Sequence, residues 1–345
     1  MSFLGPRLAK LQQKITPSQA ILLSAPSDIQ YFTDFQFLVP AEREAYALLT
    51  KKQAYLIHNQ FSPVVNHQKI INLPGCNLKK LLKHLDIVQQ QHSFKTILVD
   101  ESSLFVKEHQ ALQQKSSWQV RGLAKQLIWE LRMSKDTSEL AKIKKAVKIS
   151  QQAWQQLEPQ LTTGMTELAV KELLETQLKK LGSPQPAFPT IVAFGQHTAL
   201  PHHQPTDQKL TSETAILIDF GASYQGYCSD MTRTIWFGTK PDPEFIKVEK
   251  LVKQAYQAAK QKLKAIAALK VKNLDQAARQ VIKKAGYGDF FIHTTGHGLG
   301  LDIHEPPSIN WKNQQPIKPG MVFTIEPGVY LAGKFGYRYE NTVWT

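Results

Sequence analysis

The chain has 345 residues, 42% of them hydrophobic and 9% aromatic, which suits about two domains with a sizeable core and excludes a disordered or collagen-like polypeptide. Its 42 Lys+Arg against 28 Asp+Glu leave a net charge of +14, but seven of the basic residues are Arg and 35 Lys, with neither zinc-finger spacing nor an RNP-like aromatic motif. The charge is therefore read as a Lys-rich solvated surface, not as a nucleic-acid footprint.

In chain order, residues 1–14 have their apolar positions interrupted by Pro6, Arg7, Lys10 and Lys14, unlike the unbroken core of a secretory leader, so a cytoplasmic protein is expected. Short apolar runs at 20–24, 45–49, 54–57 and 96–99 predict strands, with helical spacing around 78–85, and residues 1–130 read as an α/β domain. Cys76 and Cys228 are far apart and in no CxxC pair, which fits buried thiols in a reducing compartment. The pattern changes at residue 131. Asp136-Thr-Ser-Glu139 has the form of a capping box, and Leu140, Ile143, Val147, Trp154 and Leu157 line one face of a long helix interrupted by Ser150. Further helices are predicted at 166–181, 243–265 and 273–285, the last closed by Gly286, with strands at 189–194, 215–220, 232–237, 321–325 and 342–345. No apolar run approaches the roughly 20 residues of a membrane-spanning helix.

Several polar residues sit where burial makes them expensive. Ala215-Ile-Leu-Ile-Asp219 puts a carboxylate at the end of an apolar strand. Asp230 follows 11 residues later, with Gly221 and Gly226 between, which suits a hairpin turning the two carboxylates toward each other. A divalent cation would relieve their repulsion; the alternative is that one pairs with Arg233 and the other caps a turn. His293, His297 and His304 fall within a dozen residues. The spacing of His293 and His297 would suit zinc on a helix, but Gly296, Gly298 and Gly300 disfavour a helix, and nothing downstream completes a phosphate loop. These glycines are expected to let a bulky substrate approach the backbone. Any one of the histidines could be a satisfied structural group, whereas three together argue for a site. Glu326 ends the apolar run 321–325 just before Pro-Gly, so it is expected to point out of a sheet end. Arg338 and Glu340 are two apart and expected on one face of a strand, a surface ion pair being the plain alternative for Arg338. His202 follows Pro201 on a loop and carries little by itself.

Taken in order and within these local motifs, Asp219, Asp230, His297, Glu326 and Glu340 resemble the five metal ligands of the M24 metallopeptidases, which have the creatinase or "pita-bread" fold. Leu-Pro-His202 is similar to that family's substrate-contacting histidine segment, and Gly-His297-Gly-Leu-Gly with Ile-His304-Glu-Pro resembles its glycine–histidine signature. The likeness is greatest to the Xaa-Pro aminopeptidase (aminopeptidase P) and prolidase branch, whose YLTGF-like segment resembles Asp28-Ile-Gln-Tyr-Phe-Thr-Asp-Phe35. Two positions depart from the pattern. Asp34 stands where Gly is common, and Asn341 where an acidic residue usually follows the last ligand. The resemblance also implies a last strand running past Thr345.

The resemblance implies a mixed α/β (α+β) protein with an N-terminal creatinase-like α/β domain, residues 1–130, and a C-terminal pita-bread catalytic domain, residues 131–345. It implies a hydrolase that cleaves the Xaa-Pro bond in dipeptides or at the N-terminus of peptides, through a hydroxide bridging two divalent ions. Asp230 and Glu340 would bridge both ions, Asp219 would chelate one, and His297 with Glu326 would complete the other. Glu326 would also shuttle the proton to the leaving nitrogen. His202 and His304 would hold the scissile carbonyl and its oxyanion, with His293 binding nearby. Arg338 would steady Glu340 or, in a dipeptidase, meet the substrate carboxylate. Four carboxylates against two divalent cations make a roughly neutral cage; its oxygen-rich donors favour manganese first, with cobalt, iron or zinc as alternatives. The branch implies a homodimer. The rival readings are a non-catalytic pita-bread binding protein, a class that typically loses metal ligands, and a basic nucleic-acid-associated protein resting on the charge alone.

Overall fold

The computed structural model describes residues 4–37, 39 and 42–345, so residues 1–3 of the N-terminal stretch read above lie outside the described residues. The chain divides into two compact units, Met1–Arg132 and Met133–Thr345, each with mixed helices and strands.

In the first unit, strands β1 (Gln19–Leu23), β2 (Ala45–Thr50), β3 (Ala54–His58), β4 (Ile70–Pro74), β5 (Thr96–Val99) and β6 (Gln119–Gly122) form one sheet in the order β4-β3-β2-β1-β5-β6. The central β1, β2 and β3 pair antiparallel, and β4, β5 and β6 join as parallel neighbours. Helices α1 (Leu4–Lys14), α2 (Pro26–Thr33), α3 (Leu78–His92), α4 (Val106–Gln113) and α5 (Gln126–Met133) complete the element list to the boundary. Leu22, Leu48 and Ile57 pack with Leu81, Leu85 and Val88 of α3 in one buried cluster, each such side chain contributing about 1.5–3 kcal/mol. Of the two cysteines, Cys228 is buried and Cys76 half-buried, both free.

Asp34 closes α2 in the left-handed region, φ 58° and ψ 14°, and its N–H donates to the Gln30 carbonyl at 2.8 Å. That conformation costs a residue bearing Cβ and favours glycine, which accounts physically for the residue common at this position in the resembled family. Asp34→Gly is expected to stabilise the protein by about 0.5–1 kcal/mol in urea unfolding; an unchanged or lower midpoint would show that the Asp34 side chain compensates the strain.

The second unit has helices α6 (Thr137–Leu157), α7 (Glu167–Lys180), α8 (Pro243–Lys262) and α9 (Val271–Lys284). Its first strands are β7 (Ile191–Phe194), β8 (Thr214–Phe220), the short β9 (Ser223–Tyr224) and β10 (Tyr227–Cys228), and β11 (Met231–Phe237). β12 (Gly296–Gly298), β13 (Glu305–Ile309), β14 (Val322–Ile325), β15 (Gly328–Leu331), β16 (Phe335–Arg338) and β17 (Asn341–Trp344) follow. Four antiparallel groups result, β11-β8-β7, β10-β9, β13-β12-β14-β17 and β15-β16. The capping box opens α6, with Asp136 accepting from the Glu139 N–H and Glu139 accepting from the Asp136 N–H. α6 and α7 bury Ile149, Leu157, Val170 and Leu174 against Ile216 and Ile218 of β8. α8 and α9 bury Val248, Val252 and Leu274 against Phe323 and Ile325 of β14. Apolar strands between two helical layers leave their ends as the place where polar side chains gather.

Candidate metal centre and its cleft

Asp219 lies near the end of β8 opposite Thr232 of β11, and Asp230 stands immediately before β11, so the hairpin does bring the two carboxylates to one end of the sheet. Arg233 takes neither of them. Its guanidinium donates to the Thr232 and Glu340 carbonyls and to Asn341 Oδ1, and lies over the Tyr339 ring. His297 sits in the middle of β12, a strand and not a helix, with its N–H donating to Thr324 Oγ1 at 3.1 Å. Its Nδ1 faces the Gly298 carbonyl at 3.1 Å; since a carbonyl only accepts, Nδ1 carries the hydrogen and Nε2 is left as a ligand atom. The flanking glycines serve the protein's own backbone. A Cβ on Gly298 would stand 2.3 Å from the Pro306 carbonyl oxygen, so glycine here lets β13 close on β12, which corrects the expectation that these glycines clear a path for substrate.

Glu326 follows β14 and accepts from Thr324 Oγ1 at 3.0 Å, while Glu340 accepts from Thr232 Oγ1 at 2.6 Å. Arg338 ends β16, whereas Glu340 lies in the turn before β17, so the two do not share a strand. Ligand atoms of Asp230, His297 and Glu340 lie within 4.8 Å of one another. His297 Nε2 is 3.5 Å from both Asp230 Oδ2 and Glu326 Oε1, beyond a good hydrogen bond and suited to groups around a shared cation. Asp219, Asp230, His202, His293, His297, His304, Glu326, Arg338 and Glu340 all line one cavity of about 530 Å³. His202 and His304 are exposed at this cavity, and the His304 ring packs 4.3 Å from that of His297.

Burial, then the neighbouring Glu340, Asp219 and Glu326 charges, drives the Asp230 carboxyl well above the ordinary range; burial and Glu326 do the same to Glu340, and burial raises Glu326. Oδ1 of Asp219 and Oδ1 of Asp230 are buried with no hydrogen-bond partner among the described residues. Raised carboxyls beside unbonded buried acceptors are what a cation site looks like before charge is added. The donors present therefore fit divalent metal ions.

One cation is built in. Arg338 Nη2 donates to Asp219 Oδ2 at 2.7 Å, Nε to Thr232 Oγ1 at 2.9 Å and Nη1 to the Tyr330 hydroxyl at 2.8 Å. Burial pulls its pKa down, but Tyr330 and the carboxylates outweigh that and hold it above its usual value. Arg338 thus reaches Glu340 through Thr232, and ties Asp219 directly. His293 Nδ1 faces the Thr294 carbonyl at 2.7 Å, so Nε2 accepts from the Tyr330 hydroxyl at 2.9 Å, giving a run from Arg338 through Tyr330 to His293. Burial lowers His293, His297 and His304, which favours their neutral forms, and pushes Tyr330 up to about 12.

Sequence reading missed Thr232, Thr324 and Tyr330. For the threonines a signal existed: each lies two residues from a carboxylate along a strand direction, the spacing that returns to one face. Nothing in the local pattern singles out Tyr330.

The model of metallopeptidase family M24 matches residues 141–345, and that of the creatinase/prolidase N-terminal domain matches residues 7–134. An uncharacterised peptidase of Staphylococcus haemolyticus is 33% identical over 343 residues, spanning 98% of this chain and 95% of that protein. Among solved structures, an Xaa-Pro dipeptidase from Bacillus anthracis superposes with a TM-score of 0.88 at 25% identity, over 99% of this chain and 95% of the other. An X-Pro aminopeptidase from Thermotoga maritima superposes with a TM-score of 0.85 at 32% identity, over 97% and 94%. Among the described residues no helix is long and apolar enough to cross a membrane.

Proposed function

The chain belongs to metallopeptidase family M24, and on that premise we propose that it hydrolyses the bond before proline, in Xaa-Pro dipeptides or at the N-terminus of longer peptides. The observation that carries this reading is the convergence of four carboxylates and one imidazole on a single cavity, with two carboxylate oxygens buried and unbonded among the described residues. The substrate class follows the names of the similar solved proteins, one a dipeptidase and one an aminopeptidase for this bond.

Asp219, Asp230, His297, Glu326 and Glu340 would hold two divalent ions, which supply a Lewis acid for the scissile carbonyl and lower a water's pKa from about 15.7 toward about 7. Manganese is the first choice, because the donors are oxygens with one imidazole and no thiolate. Glu326, at the cleft beside the other proposed ligands, would accept a proton and return it to the leaving nitrogen. The exposed imidazoles of His202 and His304 donate hydrogen bonds to the carbonyl oxygen as charge gathers there. Tyr330 holds His293 at the cleft in one orientation. Arg338, 3% exposed and bonded to Asp219, Thr232 and Tyr330, suits a tether for the ligands better than a contact for a substrate carboxylate. Phe188, Pro189, Ile191 and Ile303 make the apolar side of the cavity and suit a proline ring.

Metal-depleted protein assayed on Ala-Pro and on Ala-Pro-Ala, with and without Mn²⁺, tests the reading. Cleavage before proline only with metal is expected, the dipeptide alone indicating a dipeptidase and the tripeptide an aminopeptidase. Failure to cleave either with metal bound would overturn it.

A further inference from the structure

A second cluster of ligating side chains lies outside the metal centre. Glu167 is the first residue of α7, and its side chain is fully buried between His197 and His203. Ligand atoms of the three lie within 4.8 Å of one another, so a metal site is the first hypothesis. The distances argue against it. Around a tetrahedral zinc ion with bonds of about 2.0–2.2 Å, ligand atoms stand about 3.3 Å apart, close to the 3.5 Å separations at His297. Here His197 Nδ1 is 2.8 Å from Glu167 Oε1 and His203 Nε2 is 2.8 Å from Oε2, which are hydrogen bonds. The remaining lone pairs are also taken. Oε1 accepts from the Phe194 N–H, and Oε2 accepts from both the N–H and the hydroxyl of Thr206.

All five donors to Glu167 come from the segment 194–206, and that segment carries Pro201 and His202 to the cleft. The two adjacent histidines diverge. His203 is buried on Glu167 with its ring 4.3 Å from that of His197, while His202 is exposed and lines the cavity. The other side of the segment is fixed as well, since Thr198 Oγ1 accepts from the Gly336 N–H at 2.8 Å on β16, the strand that ends in Arg338. Glycine is required there, because a Cβ on Gly336 would stand 2.1 Å from the Thr198 carbonyl oxygen.

We infer that Glu167 is a positioning residue: by gathering His197, His203 and Thr206 it holds the loop that aims His202 into the cleft. The inference rests on the reading of His202 as a group that touches substrate. A carboxylate suits the task because it accepts along four or more directions at once, and the hydrogen bonds from His203, His197, Thr206 and the Phe194 N–H hold Glu167 low against its burial.

The test compares Glu167→Gln, His203→Ala, His203→Gln, His202→Ala and the double variant Glu167→Gln/His202→Ala, all loaded with Mn²⁺. Glu167→Gln and His203→Ala are expected to lower kcat about 10- to 100-fold, with Mn²⁺ affinity by calorimetry unchanged. His203→Gln, which keeps an N–H near the reach of Nε2, is expected to recover most of the loss. The double variant is expected to be no slower than His202→Ala alone, because both changes remove one contribution. Hydrogen exchange of metal-free Glu167→Gln is expected to rise in peptides covering 194–206 and not elsewhere. Wild-type kcat in Glu167→Gln and His203→Ala beside a slow His202→Ala would overturn the inference and leave the reading of His202 standing. So would losses that multiply in the double variant, or unchanged exchange in 194–206. Wild-type turnover in His202→Ala would overturn that reading and the inference with it.

Discussion

Asp230→Asn and Glu340→Gln are expected to lower turnover by at least about 10³-fold while making the metal-free protein more stable than the parent. The first effect follows from losing a charged ligand whose interaction is worth several kcal/mol at the transition state. The second follows from the raised carboxyls. Asp230 and Glu340 are buried among Asp219 and Glu326, with Arg338 as the built-in cation, so with no metal their ionised forms oppose folding. Removing one ionisable group that keeps its shape should gain about 1–2 kcal/mol in urea unfolding of chelator-treated protein. The pH dependence has a definite sign. A carboxyl whose folded pKa lies above its unfolded value of about 4 binds more protons when folded, so the contribution of Asp230 and Glu340 to metal-free stability is greatest at low pH and declines as pH rises from about 4 through the raised values. Metal binding demands the ionised forms and so strengthens over the same interval, releasing protons. Metal-free parent that gains stability with rising pH over that interval, or a variant with parental turnover, would contradict the assignment of these residues.

Three of the five proposed donors stand out locally, where pattern and chemistry conflict, while Asp230 and Glu340 join them only through the family resemblance. Asp219 ends an apolar run, Glu326 ends another before Pro-Gly, and His297 lies between glycines that break any helix. Such conflicts are visible without knowing what packs where. The strands and helices at 45–50, 54–58, 96–99 and 137–157 were legible for the complementary reason, since period and composition agree there. β4 and β6 were not: both are short edge strands, Gln119-Val-Arg-Gly largely polar and Ile70-Ile-Asn-Leu-Pro interrupted by Asn72 and closed by a proline, and their pairing is decided by the sheet they join. α3 runs seven residues beyond the span with clear spacing, because Val88 still buries one face while Gln89, Gln90 and Gln91 add no apolar signal. The Glu167 clamp was invisible for a different reason. Its residues are ordinary one by one, and their meeting at 2.8 Å is a product of tertiary structure. Arg338 was found by proximity to Glu340 in sequence, yet its direct carboxylate partner is Asp219, 119 residues away.

Lys135→Met is expected to cost about 3–5 kcal/mol of stability. Lys135 Nζ lies 3.0 Å from Glu305 Oε2, and both side chains are 1% exposed. The pair joins the segment before α6 to the start of β13, 170 residues away. Its surroundings leave little room to adapt. The Lys135 N–H donates to the Gly320 carbonyl at 2.8 Å, Ser134 bridges to Met321, and the Asp302 N–H donates to Glu305 Oε1 at 3.2 Å. Methionine fills the volume of the lysine stem but removes the ammonium that Glu305 faces, while the carboxylate stays buried. The charge, not the packing, is therefore what fails. A second change distinguishes the two: Lys135→Met/Glu305→Gln removes the charge as well, and should recover more than half of the loss in urea unfolding. Because Glu305 directly follows His304, Lys135→Met should also reduce kcat in conditions where it remains folded, and the double variant should restore part of it. A loss below about 1 kcal/mol in Lys135→Met would mean that water reaches the pair, and equal losses in the single and double variants would assign the effect to packing instead of charge.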